Sequence, residues 1–406
     1  MLIKTKKVFN NLGYHYHHKI FFYENKYYCY PFWVVPINEL ATRCQELTIF
    51  AEVIEVFEEN NISTLNVFSN NVNFVDLGNI SCSFINKFRI IRQVQKKVKS
   101  YLSKNHIDEI IFEVPSFFAI YISRYFPNKS IFFIIGDMVR CIKIDEKFKD
   151  ILNLKYKLLF LYYFVDKLTI SYLSNKELSF GGAYRGIFKG QQRDQYSLIK
   201  NNTEAHFQSF KQCDVIKKIY IINKDFTKIL TIFRLSPEKD INNIIECARF
   251  LKINNFNFIW NILGDGPCRG IFQKFIDDAG LSDQVILCGN IHHGSKFLDF
   301  VDNSDLYVLP NRNTGIGVGR TGWEMMARGL ICIFPPLANR RHFNHGQNCF
   351  ITRTGSPEEY FKCITNFIEN SFDAQQISSN ASQTAFDNAV EPAIDHIVNH
   401  ITHTIR

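Results

Sequence analysis

The chain of 406 residues has no apolar run near the roughly 20 residues that a bilayer-spanning helix needs. Its longest, "LLFLYYFV" at 158–165, stops far short, so a single-pass anchor is not expected. With its flanks that segment reads either as a core helix or as a basic, aromatic helix lying on a membrane surface. The opening "MLIKTKKVFNNLGYHYHH" carries positive charge but no apolar h-region, so a secretory leader is not expected either. No two of the 11 cysteines form a C-x-x-C pair. Scattered through the chain (Cys29, Cys44, Cys82, Cys141, Cys213), many inside apolar runs, they fit free, mostly buried thiols in a reducing cytoplasm. His15, His17 and His18, and the pair His342 and His345, have no cysteine or carboxylate partner at ligand spacing, which favours a surface role over a metal. Internal repeats and long low-complexity tracts are absent as well.

Hydrophobic residues make up 46% of the chain and charged residues 21%, enough apolar surface for sizeable cores and a length that suits two domains. The 39 Phe and 18 Tyr give an unusually aromatic interior. Net charge is +8, which suits an anionic ligand, a nucleic acid or an acidic membrane surface, and equally plain solubility. Basic residues are spread out and no recognised nucleic-acid motif occurs, so nucleic-acid binding ranks last.

Short runs rich in Ile, Val and Phe alternate with amphipathic stretches along the chain. "KIFFY", "ELTIFAEVIEVF", "STLNVF", "DEIIFEV", "SIFFIIGD" and "DKLTISYL" read as strands of the first half. Among them "INKFRIIRQVQKKVKSYLSKN" has helical spacing with basic residues outward. From about 182 to 216 the chain turns polar and weakly periodic, which places the domain junction near its end. Alternation then restarts at "KILTIFRL" and runs through "FNFIWNILGDG", "QVILCGN", "DLYVLP" and "LICIFPP", each followed or preceded by a helical stretch. The expected architecture is α/β, with two doubly wound domains facing a central cleft. Residues 1–214 would form the first and 215–385 the second, with a helix over 386–406 packing back on the first.

The second half also carries chemistry. "IFRLSPEKD" sets Arg234 and Lys239 around a turn holding Ser236 and Pro237, directly after an apolar strand. "NRNTGIGVGR" leads from "DLYVLP" into the helix "TGWEMMARG", with Gly315, Gly317 and Gly319 letting backbone amides approach a ligand. Free N–H groups and the helix dipole both favour an anion at such an entry. In a parallel sheet the carboxyl ends of the strands share one rim. Two cations, this helix start with Arg320 and Glu324, and the Gly-Asp-Gly turn of "LGDGP" (Gly264) therefore converge on one diphosphate site.

As an ordered set over about 228 to 350, "RLSPEK", "LGDGP", "VILCGNI", "SDLYVLP" and "GVGRTGWEMMARGLICI" resemble the donor half of glycosyltransferase family 4, retaining nucleotide-sugar-dependent enzymes of the GT-B fold. "IIFEVPSFFAIYIS" followed by "SIFFIIGDM" is similar to a subgroup that builds bacterial surface polysaccharides. The resemblance implies that Arg234 and Lys239 hold the donor diphosphate and stabilise the charge growing on it as the glycosidic bond breaks. Glu324 would bond the ribose hydroxyls, and the backbone near Ile291 would meet the base. The amides of Gly317, Val318, Gly319 and Arg320 would contact phosphate or sugar. Asp137, ending "FFIIGD", is the choice for an acceptor-side polar group. The donor would be a nucleotide sugar such as a UDP- or GDP-sugar, and the acceptor a glycan or lipid-linked molecule, with peripheral contact at the cytoplasmic membrane face. No metal is expected, because the sequence has no Asp-x-Asp, the carboxylate device of the other glycosyltransferase fold.

The chain departs from the family where Ile316 stands at the place of its first glutamate, which commonly touches donor-sugar hydroxyls; Asn311 or Asn313 could grip the sugar instead. The usual glycine pair after the first strand is replaced by "YENKYYCYPFW", read as an aromatic loop that could meet a glycan or lipid-linked acceptor. Two further readings stay open: a nucleotide-sugar epimerase or phosphorylase of the same fold, and a catalytically silent subunit that binds a partner transferase.

Overall fold

The computed structural model describes residues 7–59, 62–81, 84–114, 116–126, 129–134, 178–181, 202–204, 208–220, 225–236, 239–292, 294–310, 318–336, 342–369 and 373–404. The described residues before 210, together with those from Val390 onward, form one unit, and Phe210–Ala389 forms the other.

In the first unit, β1 (Phe9–Tyr23), β2 (Lys26–Cys29), α1 (Pro31–Ala41), β3 (Cys44–Glu55), β4 (Asn66–Val67), β5 (Val72–Asp76) and α2 (Phe84–Leu102) come first. They are followed by β6 (Glu109–Val114), α3 (Phe117–Ser123), β7 (Ser130–Ile134), β8 (Leu178–Gly181) and β9 (Asn202–Glu204). A parallel ladder runs β5-β3-β1-β6-β7-β8-β9, and β2 and β4 join it antiparallel. β1 is long because it pairs β6 along Leu12–His15 and then β2 along Phe21–Tyr23.

Two expectations are corrected here. The stretch "YENKYYCYPFW" is not a loop. Glu24 (φ 45°) and Asn25 (φ 61°) make a two-residue hairpin turn of the kind that needs two positive φ values, β2 follows, and Pro31 opens α1. His15 is not a surface residue either. A central strand of a parallel sheet is buried on both faces, so His15 is fully buried, with Nδ1 3.1 Å from the Phe50 carbonyl oxygen and Nε2 3.1 Å from Ser116 Oγ. "DKLTISYL" and the aromatic stretch around 158–165 lie outside the described residues.

The final helix, Val390–Thr404, belongs to this unit. Val390, Ile394, Ile397 and Ile401 share a core with Trp33, Val34 and Ile37 of α1. Arg43 fastens the arrangement, bonding Asp395 Oδ1 at 2.8 Å and Glu39 Oε1 at 2.9 Å.

The second unit contains β10 (Thr227–Ile232), α4 (Ile241–Ile253), β11 (Phe258–Leu263), α5 (Arg269–Asp278), β12 (Val285–Gly289) and α6 (Ser295–Asp302). β13 (Leu306–Val308), α7 (Gly319–Ala327), β14 (Ile331–Phe334), β15 (Phe350–Ile351), α8 (Pro357–Ile368) and α9 (Ala374–Asp387) complete it. All its described strands are parallel, in the order β12-β11-β10-β13-β14-β15. Taken in sequence this is 3-2-1-4-5-6, whose order reverses between β10 and β13, and ligands settle outside the strand carboxyl ends at such a reversal. A buried chain of hydrogen bonds ties the strands there: Trp260 Nε1 donates to Thr231 Oγ1 (3.0 Å), which donates to the Val308 carbonyl (2.7 Å). Tyr360 of α8 donates to the Leu309 carbonyl at 2.9 Å, fixing where the chain leaves β13.

Candidate functional site of the second unit

Beyond the ends of β10 and β11 the two chains stay zipped together. Phe233 N–H donates to the Leu263 carbonyl (3.1 Å), Leu235 N–H to that of Asp265 (3.0 Å), and Cys268 N–H to that of Leu235 (3.1 Å). This closeness is what "LGDGP" provides. A Cβ built on Gly264 would lie 2.0 Å from the Phe233 carbonyl oxygen, and one on Gly266 would lie 2.2 Å from that of Leu235. Gly264 also holds φ +132° and donates its N–H to the Gly289 carbonyl at 2.8 Å, joining the end of β12 to the same edge. Arg269, at the start of α5, supports β12 from behind by donating Nη2 to the Leu287 carbonyl at 2.9 Å.

The result is a cavity of about 460 Å³ at the carboxyl edge. Ile232, Phe233, Leu263 and Phe297 form apolar walls, and Arg234, Gly264, Asp265, Asn290, Ile291 and Thr321 supply the polar and backbone groups. Arg234 is exposed and is the cation among the described lining residues. Thr321 belongs to the first turn of α7, whose cap residue Val318 offers no side-chain acceptor to the helix N–H groups. α7 sits close on β14, because a Cβ on Gly322 would meet the Val318 side chain at 2.0 Å and the Phe334 ring at 3.0 Å. Next to α7, Tyr307 of β13 is fully buried, and burial, with lesser contributions from nearby Cys332 and Glu324, pushes its pKa up. It therefore stays a neutral phenol.

Three residues singled out from the sequence, Arg234, Gly264 and Ile291, line this one cavity. Val318, Gly319, Arg320 and Glu324 lie along α7 and its entry, outside the described lining. Gly319 takes φ +68°, a left-handed value that suits glycine at the bend into the helix. Lys239 is half-buried, its N–H donates to the Ser236 carbonyl at 2.9 Å, and it too is outside the described lining. Gly317 and Asp137, like Ile316, Asn311 and Asn313, lie outside the described residues.

Sequence reasoning missed Asp265, Asn290, Phe297 and Thr321 as lining residues. Asp265 sits inside the quoted "LGDGP" and Thr321 next to Arg320, so the motifs pointed at them without distinguishing them. Among the described residues no group of three His, Cys, Asp or Glu side chains could hold a metal ion. Nor is any helix there long and apolar enough to cross a membrane.

Residues 213–384 match the family model of glycosyl transferases group 1. Over 104 residues the chain is 31% identical to the alpha-D-kanosaminyltransferase of Streptomyces kanamyceticus, covering 25% of this chain and 26% of that protein. Over 156 residues it is 25% identical to the amylovoran biosynthesis glycosyltransferase AmsK of Erwinia amylovora, covering 37% and 34% respectively. It spans 26% to 34% of the length of these curated relatives. In three dimensions it is similar to Anabaena HepE, solved in complex with UDP and glucose, with a TM-score of 0.62 at 12% identity over 96% of this chain and 99% of that one. The chain thus has the GT-B fold of two Rossmann-like α/β units, and its second unit matches the glycosyl transferases group 1 over residues 213–384.

Proposed function

We propose that this protein is a glycosyltransferase that moves a hexose from a nucleotide-diphosphate sugar to a glycan or lipid-linked acceptor with retention of anomeric configuration, in bacterial polysaccharide biosynthesis. The observation that carries the reading is the convergence of Arg234, Gly264, Ile291 and Thr321 on one cavity at the strand-order reversal, inside the segment that matches the family model. The UDP and glucose bound to HepE favour a uridine nucleotide, and the role named for AmsK favours a polysaccharide pathway. The protein works in the cytoplasm, at or near the membrane face where lipid-linked acceptors are elongated.

In this mechanism Arg234 and Lys239 face the diphosphate. Charge accumulates on the leaving phosphate as the glycosidic bond lengthens, and a guanidinium placed beside it stabilises that charge more than it stabilises the ground state. The N–H groups of the first turn of α7 add the positive end of a helix dipole. Together these groups take the part that a divalent cation plays elsewhere, so the reaction runs without metal. The Ile291 backbone meets the base and Glu324 accepts from the ribose hydroxyls.

The test is turnover of UDP- and GDP-sugars with glycan and lipid-linked acceptors, with the product anomer assigned by NMR. Arg234→Ala should lower turnover about 10²–10³-fold while leaving the melting temperature near that of the parent protein. Near-normal turnover in both Arg234→Ala and Lys239→Ala would sink the assignment. Conversion of the sugar nucleotide with no acceptor present would replace it with an epimerase.

A further inference from the structure

α2 (Phe84–Leu102) holds Lys87, Arg89, Arg92, Lys96, Lys97 and Lys99 and no acidic residue. Its inner face is fixed. Val94 and Val98 are buried with Leu77, Ile80 and Phe112 in the core of the first unit, so the helix cannot roll. Two of the cations have partners among the described residues: Lys97 Nζ lies 2.8 Å from Asp76 Oδ2, and Lys99 Nζ lies 5.5 Å from the centre of the Tyr125 ring.

At 100° per residue, Arg89, Arg92, Lys96 and Lys99 fall within less than half of the helix circumference, and all four are exposed. They span about 15 Å along the axis at a rise of 1.5 Å per residue. Phe88 stands at the border of this stripe and is 52% exposed. An exposed basic stripe along one helix, with an aromatic ring at its border and no carboxylate in the element, matches a flat anionic surface that accepts an apolar group at its boundary.

We propose that the outer face of α2 docks the protein on a membrane rich in anionic phospholipid, with Arg89, Arg92 and Lys96 against the headgroups and Phe88 entering the interface. The inference rests on the membrane contact proposed above and gives it a surface. Vesicle binding needs no sugar nucleotide, so it can fail while the donor reading stands, and the reverse.

The experiment is co-sedimentation of the full chain with phosphatidylcholine vesicles and with vesicles that also contain phosphatidylglycerol. Binding should require phosphatidylglycerol and weaken as salt is raised. Each cation near such a surface is worth about fivefold in binding. Arg92→Glu/Lys96→Glu should therefore lose about 25-fold or more, and the milder Arg92→Gln/Lys96→Gln about 25-fold. Exposed Lys274 and Lys362 belong to the second unit, and Lys274→Glu/Lys362→Glu, with the same change in net charge, should bind as the parent does. Equal loss in that control would reduce the effect to net charge and overturn the proposal. Full binding by both α2 variants, or no binding to phosphatidylglycerol vesicles while a DNA duplex is retained, would overturn it as well.

Discussion

Replacing Gly264 with alanine tests whether the turn after β11 is built by close approach. The new Cβ would lie 2.0 Å from the Phe233 carbonyl oxygen, about 1 Å nearer than such atoms come in folded proteins, and Gly264 holds φ +132°. The backbone conformation alone costs an alanine about 1–3 kcal/mol. Relieving the clash means parting the two zipped chains, which strains the Phe233–Leu263 and Leu235–Asp265 bonds, each worth about 1 kcal/mol. The expected loss is about 3–5 kcal/mol, read as a lower denaturant midpoint for the second unit. Arg234 rides on the displaced segment, so nucleotide affinity should fall even where the variant remains folded. Gly270 is the control. Nothing lies within 4 Å of a Cβ built there and it is helical, so Gly270→Ala should be neutral or stabilise by up to about 1 kcal/mol. A Gly264→Ala protein within ~1 kcal/mol of the parent would refute the close-approach argument.

Glu109 gives a pH prediction in the first unit: burial raises its pKa to about 7, partly opposed by Lys129, and Oε2 is buried without a hydrogen-bond partner among the described residues. A carboxylic acid with a raised folded pKa costs stability as pH climbs from the unfolded value of about 4.3 through 7. Glu109→Gln should flatten that slope and stabilise the unit by about 1–3 kcal/mol at pH 8, and an unchanged slope of melting temperature against pH would contradict this. Glu359 works with the opposite sign. Burial raises its pKa, but the N–H donors of Thr354, Arg353 and Gly355 (2.9, 2.8 and 3.2 Å) more than offset this and hold it below the usual range. Its contribution is therefore present above pH ~4.3 and lost as pH falls through the lower folded value, and because the carboxylate is largely solvated Glu359→Gln should remove it with a penalty of only about 0.5–1 kcal/mol at pH 7. Denaturant titrations at pH 3, 5 and 7 would reveal whether parent and variant converge only in acid.

How much of this was legible in the sequence depended on how each strand is buried. β10, β11, β12, β13 and β14 all coincide with apolar runs, because strands covered on both faces by helices need Ile, Val, Leu and Phe in succession. The first ten residues of β1 defeated the same rule, although its last five read as the strand "KIFFY". It is as deeply buried, but Tyr14 donates to Glu113 Oε1 at 2.7 Å and His15 meets Ser116, so polar-looking residues are satisfied internally and "FNNLGYHYHH" did not read as a strand. The hairpin at Glu24 and Asn25 was missed because neither residue is the glycine that usually announces two positive φ values. At the site, the spacing of Arg234 from its strand and the "LGDGP" turn were readable. Asn290 and Thr321 lie inside quoted motifs, but that they line the cavity depends on separate segments converging there, which no local pattern encodes.

The most direct measurement of the central claim is thermal stability against UDP, GDP, ADP, CMP and their sugars, for the parent protein and Arg234→Ala. A ligand at ~100 times its Kd adds about 2.7 kcal/mol to the folded state, or a shift of several degrees for a unit of this size. The account predicts a shift with one nucleoside diphosphate that disappears in Arg234→Ala. A shift of equal size in both proteins, or none with any nucleotide, would contradict a diphosphate site at the end of β10.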